Sequence, residues 1–179
     1  DNASAVTITG QDIIKSTGKA INECFKRALD EKEGDWVIYT DTDSCFASAL
    51  PIIKKNMPDI DLNDEKAMTE AILKVTGDVQ SFVNKFYDVM AKRYFNIEKH
   101  RFDAKQEVIA KTSFWLAKKR YAQFIINKGG VVCDELEVKG IDVVRTSFPA
   151  KFRTFMHGFL IDLLKKVDKE IIDKNILDF

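Results

Sequence analysis

The sequence predicts an α+β fold in which helices pack beside antiparallel strands. Two long segments carry apolar residues at spacings of three and four, which is the period of an amphipathic helix. Other segments are short runs of β-branched and aromatic residues separated by turn residues, as in antiparallel strands. A chain of 179 residues with 45% apolar content is long enough to bury a core. The predicted order is helix, hairpin, helices, sheet and helix.

Three segments have the helical pattern. Residues 11–29 predict one amphipathic helix, and residues 63–94 predict a second helical stretch. Gly77 lies inside the second stretch, and because glycine weakens a helix we expect the stretch to divide there into two helices. Residues 149–166 predict a last helix that begins with proline and is followed by a short tail.

The strand segments fall in two groups. Apolar residues 36–39 and 45–47 flank residues 41–44, DTDS, which include two aspartates, and this pattern predicts a hairpin with an acidic turn. Between residues 107 and 138 the chain is rich in β-branched and aromatic residues, and residues 127–130 contain two glycines suited to a tight turn. We therefore expect an antiparallel sheet in this part of the chain.

The charge balance limits the classes of function. Lys and Arg number 28, as do Asp and Glu, so the formal net charge is zero. This argues against a DNA-binding protein that relies on bulk positive charge, and a nucleic-acid site must come from a local cluster. Three cysteines with no metal-binding spacing suggest reduced thiols in an intracellular, cytoplasmic protein. We expect no membrane partner, since no signal peptide or spanning apolar run is found.

The predicted hairpin turn carries two carboxylates. Asp41 and Asp43 are two residues apart, and no Lys or Arg within the turn neutralises them. Mg²⁺ prefers oxygen ligands and commonly binds one or two carboxylates together with substrate phosphates. Thr42 and Ser44 are placed to hydrogen-bond the turn and hold the carboxylates. The alternative is an ordinary acidic turn in solvent, because Asp-x-Asp alone is short and common.

Residues 118–121, KKRY, place three cations at the start of an apolar strand. Because side chains alternate along a strand, Lys119 and Tyr121 are expected on one face, with Lys118 and Arg120 on the other. A Lys and a Tyr on one face can reach a sugar–phosphate backbone and a groove edge. The alternative is a sheet edge that charge protects from pairing with other chains.

Taken together, these motifs resemble family B DNA polymerases, and the resemblance covers nearly the whole chain. Residues 39–44, YTDTDS, are similar to the family's YGDTDS motif, and residues 118–121 match its KKRY motif. Residues 139–142, KGID, resemble the segment that leads from palm to thumb. Residues 2–11 look like the segment after the fingers motif, and residues 145–149 look closest to the phage replicative branch.

The resemblance implies a palm-type antiparallel sheet with flanking helices, followed by a helical thumb fragment. Residues 1–145 would be the C-terminal part of the palm and residues 146–179 the beginning of the thumb. It implies a DNA-directed DNA polymerase that extends a primer on a template by nucleotidyl transfer with two Mg²⁺ ions. The implied partners are primer–template DNA and deoxynucleoside triphosphates.

The resemblance also implies roles for single residues. Asp41 and Asp43 would be the catalytic metal ligands, and Glu107 an acidic residue near the metal site. The expected DNA- or primer-binding residues are Tyr39, Thr42, Lys118, Lys119, Arg120, Tyr121, Lys139 and Arg145. Thr40 departs from the family pattern, because a β-branched side chain stands where a glycine usually lets DNA approach.

Larger parts of the family pattern are missing from this sequence. The DxxSLYPS and KxxxNSxYG motifs and the exonuclease carboxylates are not found, so we expect a remaining polymerase segment, in cis or in trans, to supply them. The chain alone is expected to be inactive. The alternatives are a non-catalytic DNA-binding or structural module derived from a polymerase, and a glycosyltransferase, which would have no use for residues 118–121.

Overall fold

The computed structural model describes residues 2–142 and 147–179, and it confirms the α+β class. The chain forms two compact units, and it passes from the first to the second between Gln106 and Glu107. Each unit combines helices with its own antiparallel sheet. The boundary at residue 145 between palm and thumb stays a prediction.

The first unit contains three helices and one hairpin. Its elements are α1 (Asn2–Leu29), β1 (Val37–Asp41), β2 (Ser44–Ala47), α2 (Leu50–Asn56) and α3 (Glu65–Tyr94). The core is formed by buried side chains of the helices, among them Phe25, Ile53, Val83 and Met90. The hairpin is tied to α1, because Asn22 Oδ1 accepts hydrogen bonds from the backbone N–H groups of residues 36 and 37 at 2.9 and 3.2 Å.

Two helices of this unit are longer than the sequence predicts. Helix α1 begins at Asn2 rather than near residue 11, because a helix that packing has already nucleated extends at small cost even through β-branched residues. Helix α3 continues through Gly77, which is exposed. A glycine costs only about 1 kcal/mol there, and buried residues on both sides, such as Val75 and Val83, hold the helix together.

The second unit contains a three-stranded sheet and two helices. Its elements are β3 (Val108–Ala117), β4 (Arg120–Lys128), β5 (Val131–Lys139), α4 (Ala150–Leu164) and α5 (Lys169–Leu177). The strands pair antiparallel, as the sequence predicts, and their order in the sheet is β3-β4-β5. The expected short tail is instead helix α5.

Strand β4 lies at the centre of this sheet and is buried from Tyr121 to Asn127. Helix α4 packs on it, and Thr112 Oγ1 of the neighbouring β3 donates to Leu164 O at 2.6 Å. Two buried amides interrupt the apolar side chains of β4. Gln123 donates to the Glu137 carboxylate, and Asn127 Oδ1 accepts from Gly130 N–H at 3.1 Å. Within the described residues, no helix combines the length and apolarity needed to cross a membrane.

Candidate functional site

The acidic turn forms as the sequence predicts. Asp41 is the last residue of β1 and pairs with Ser44, so Thr42 and Asp43 make a two-residue loop between the strands. Asp41 is partly buried and Asp43 is exposed. Both carboxylates therefore belong to a single tight bend, and the Asp43 side chain is open to solvent.

Short hydrogen bonds organise the bend. Thr42 Oγ1 donates to Asp41 Oδ1 at 3.1 Å, and Ser44 Oγ donates to Asp41 O at 3.4 Å. The backbone of Thr42 has φ of +31°, which is rare for a β-branched residue. Such backbone strain persists only where the surrounding structure holds it. The bend thus presents the Asp41 carboxylate in a defined orientation.

The donor chemistry of the bend fits a hard divalent cation only in part. Asp41 and Asp43 supply carboxylate oxygens, which Mg²⁺ prefers. In the part of the chain that the structure describes, no three His, Cys, Asp or Glu side chains gather into a metal-binding group. Two carboxylates do not fill an octahedral shell, and the remaining ligands would have to come from phosphates, water or another polypeptide segment.

Tyr39 and Thr40 precede the bend on β1. The Tyr39 ring pairs across the hairpin with Phe46, with ring centroids 6.1 Å apart. Thr40 pairs with Cys45, and a methyl group placed on Gly18 of α1 would lie 3.8 Å from Thr40 Cγ2. The extra bulk of Thr40 therefore has its methyl group over a helix glycine.

The basic motif differs from its predicted geometry. Ala117 pairs with Arg120, so Lys118 and Lys119 form a two-residue hairpin loop and not the start of a strand. Lys119 adopts φ of +61°. The expected alternation of side chains across a strand face does not apply to these two lysines, because strand geometry begins only at Arg120. Both lysines are exposed at the tip of the β3–β4 hairpin.

Tyr121 is buried directly beneath this loop. It is 2% exposed and contacts the Trp115 ring with centroids 4.5 Å apart. Lys139 lies across the sheet, with Nζ 5.8 Å from the centre of the Tyr121 ring. A hydrogen bond with Tyr121 raises the pKa of Lys139 above its ordinary value, and the nearby Glu137 carboxylate adds to this. The accessible groups of the motif are therefore the cations around the tyrosine.

Residues 139–142 lie against the same loop. Arg120 and Asp142 form an ion pair at 3.3 Å. Gly140 has φ of +65°, and a Cβ there would lie 1.9 Å from Lys119 O. Sequence reasoning assigned no role to Trp115, Gly140 or Asp142. The KGID segment hinted only at Gly140 and Asp142, because the cross-strand register that brings all three residues to the loop is not visible in the sequence.

Two other predicted residues lie elsewhere or cannot be placed. Glu107 precedes β3, and its carbonyl accepts from Gly129 N–H at 2.7 Å at the far end of the sheet from Lys119. A strand of this length separates the two by roughly 30 Å. Arg145 lies outside the described residues. The structure thus groups the basic motif with residues 139–142 but not with Glu107.

Known proteins resemble this chain over most of its length. The DNA-directed DNA polymerase of Escherichia phage RB69 is 26% identical over 159 residues, covering 83% of this chain and 17% of the phage protein. The DNA-directed DNA polymerase of Enterobacteria phage T4 is 22% identical over 183 residues, covering 95% and 20%. No protein-family model matches the chain. The chain spans about a fifth of the length of these relatives, and the similarity supports a relationship to DNA polymerases.

Proposed function

We propose that this chain is one part of a family B DNA-directed DNA polymerase and contributes metal ligands and a primer-binding surface to it. Asp41 and Asp43 would bind magnesium, and the loop at Lys118 and Lys119 would bind the primer–template duplex. Such metal ions, when bound, stabilise the attacking and leaving oxygens of phosphoryl transfer. The similarity to phage polymerases along 83–95% of the chain is the observation that carries this proposal.

The geometry of the acidic turn supports the metal-binding part. An exposed aspartate beside a second, hydrogen-bonded aspartate is an arrangement that attracts a divalent cation. The two like charges repel each other, and a bound cation removes that repulsion. Asp41 would fix the position of the cation, while Asp43 would face the reacting phosphates. Tyr39 and Thr42 would lie near the primer end.

The basic loop supports the DNA-binding part. Two exposed lysines at a hairpin tip, with Arg120 and Lys139 beside them, form a local positive cluster on a chain of zero net charge. Phosphate contacts of this kind set position and affinity without reading sequence. The complete enzyme is also expected to use nucleoside triphosphates, Glu107 and Arg145.

Manganese binding tests the metal-ligand role on the chain itself. Mn²⁺, as a paramagnetic substitute for magnesium, should broaden the amide NMR signals of Thr42 and Ser44 in the wild-type chain. Asp43→Asn keeps the size of the side chain and removes its charge, so it should abolish the broadening. Asp59→Asn is a matched control, because Asp59 is an exposed turn aspartate of the same unit. Equal broadening in both variants would contradict metal binding by Asp43.

Primer extension tests the catalytic role. The chain would be mixed with a polypeptide that carries the remaining polymerase segments, and extension measured with Mg²⁺. Metal stabilisation of several kcal/mol corresponds to about a 100-fold or greater loss in Asp43→Asn, since about 1.4 kcal/mol is a factor of ten. Asp59→Asn should retain full extension. Unchanged extension by Asp43→Asn would favour the alternative, a non-catalytic DNA-binding module.

A further inference from the structure

Gly140 touches the backbone of the basic loop more closely than any side chain would allow. A Cβ at this position would lie 1.9 Å from Lys119 O, 3.0 Å from Lys119 C and 3.2 Å from Arg120 Cγ. Real Cβ atoms do not approach backbone oxygen to such a distance. The loop and residue 140 therefore fit together only when residue 140 is glycine.

Two neighbours of Gly140 contact the residues of β4 that directly follow the loop. Lys139 pairs in register with Tyr121 and approaches its ring, and Asp142 forms the ion pair with Arg120. Trp115 of β3 pairs with Tyr121 across the β3–β4 hairpin, and its ring covers the Tyr121 ring. The segment 139–142 thus contacts three consecutive positions of the basic motif, which are Lys119, Arg120 and Tyr121.

A loop of lysines gains from such support. Lysine side chains are long and flexible, so the direction in which they leave the backbone decides which phosphates they reach. Lys119 holds a left-handed backbone conformation, which non-glycine residues seldom adopt without support from their surroundings. A contact that fixes the Lys119 carbonyl also fixes the direction of the loop.

We propose that Gly140 is a positioning residue that sets the orientation of the Lys118–Lys119 loop on DNA, with Asp142 assisting through Arg120. This inference rests on the proposed DNA-binding function of the loop. Gly140 itself would make no contact with DNA. It acts by allowing residues 139–142 to lie against the loop backbone.

The chain offers a matched control for the substitution. Gly140→Ala introduces both an unfavourable φ and a backbone clash. Gly129→Ala introduces the same conformational cost, because Gly129 has φ of +59°, but a Cβ there meets nothing within 4 Å. Gly129 is in the hairpin turn at the other end of the same sheet. The difference between the two variants therefore isolates the contact with the basic loop.

Salt dependence of DNA binding distinguishes positioning from loss of folded protein. Affinity for a primer–template duplex would be measured at several salt concentrations, where the log–log slope is about −0.9 for each phosphate contacted. Gly140→Ala should flatten the slope by about one to two units, as the loss of one or two phosphate contacts requires. Gly129→Ala should keep the wild-type slope. A variant that merely folded less well would lose affinity with an unchanged slope.

Hydrogen exchange gives a measurement that does not need DNA. Gly140→Ala should speed amide exchange at residues 118–120 at least several-fold relative to Gly129→Ala. If Gly140→Ala does not fold, Asp142→Asn removes the ion pair without touching the backbone and should speed exchange at the same amides. Unchanged exchange in both variants would overturn the positioning role.

The outcomes also separate this inference from the proposed function. If Lys118→Ala and Lys119→Ala each flatten the salt slope while Gly140→Ala behaves as Gly129→Ala does, the DNA-binding loop stands and the positioning role is wrong. If neither lysine variant changes the slope, the DNA-binding role of the loop is wrong. Faster exchange in Gly140→Ala would then still support its contact with the loop.

Discussion

Cys45, which is partly buried, and Tyr87, which is buried, are weak acids of the first unit. Burial raises the pKa of the Cys45 thiol to about 11, and burial is also the main cause of a raised pKa for Tyr87. The Tyr87 hydroxyl is hydrogen-bonded to Thr17 at 2.9 Å, and Thr17 Oγ1 donates to Ile13 O. Ionising either acid would place a negative charge beside apolar side chains of the core.

Stability should therefore decline at alkaline pH in a way that depends on Cys45. Its folded pKa of about 11 lies above the ordinary value of 9.0, so the folded state binds the proton more tightly than the unfolded state does. The stabilisation is complete below pH 9 and is lost as the pH rises through about 11. Urea unfolding at pH 8 to 11 should show a steeper decline for the wild type than for Cys45→Ala. Parallel curves would contradict this assignment.

Some contacts of single residues in the candidate site were predictable from the sequence, and others were not. The hydrogen bonds of Thr42 and Ser44 within the acidic turn were predictable, because hydroxyl side chains bond to the nearby chain. The contact of Gly140 with Lys119 was not predictable, because it depends on which residues face each other across β4 and β5. Metal binding by Asp41 and Asp43 stays a prediction.

At the scale of elements, helix α3 shows how packing overrides local propensity. Gly77 is exposed, yet the helix continues through it from Glu65 to Tyr94. The N-cap Asp64 accepts hydrogen bonds from Lys66 N–H and Ala67 N–H, each at 3.0 Å. The capped N-terminus and the buried face of the helix raise the free energy of any non-helical conformation at Gly77.

Gly77→Ala should consequently stabilise the protein. A Cβ at Gly77 meets nothing within 4 Å, so the substitution adds helix propensity without a clash. The expected gain is about 1 kcal/mol in the free energy of unfolding. Thermal or urea unfolding measures it, with Gly129→Ala as a control that should lose stability because of its positive φ. A destabilised Gly77→Ala variant would mean that the helix needs flexibility at this position.

Most element types were predictable from hydrophobic period, but helix α5 and the loop at Lys118 and Lys119 were not. The apolar run that follows the two lysines suggested the start of a strand, whereas the pairing of Ala117 with Arg120 makes them a turn. Lysine has no preference for a left-handed turn, so no local signal marks it. The tertiary contact with Gly140 decides the backbone conformation of the loop.

At the scale of the molecule, the first unit has a hydrophobic core of its own. The buried and partly buried members of that core all lie between Ile13 and Ala104. The segment after α3 is held to the helix, with Ala104 N–H donating to Asn84 Oδ1 at 2.7 Å and Gln106 N–H donating to Gln80 Oε1 at 3.0 Å. These contacts close the core within one continuous stretch of chain.

A fragment of residues 1–106 should therefore fold without the second unit. Circular dichroism should show helical structure and a cooperative thermal transition, because the fragment keeps its core. Phe25→Ala in the same fragment should lower the free energy of unfolding by about 3–5 kcal/mol, since Phe25 is 2% exposed. A fragment without a cooperative transition would show that the core alone does not stabilise this unit.

Strand β4 is buried on both faces, and its buried amide side chains therefore help to fix the pairing register. In most antiparallel strands an alternation of apolar and polar residues fixes the pairing, but seven consecutive buried residues offer no such alternation. A slip by one residue would move Gln123 from Glu137 to Leu136 or Val138, leaving a buried amide unbonded at a cost of about 1–3 kcal/mol. The polar residues of the strand thus select one pairing register among several that apolar side chains alone would stabilise equally.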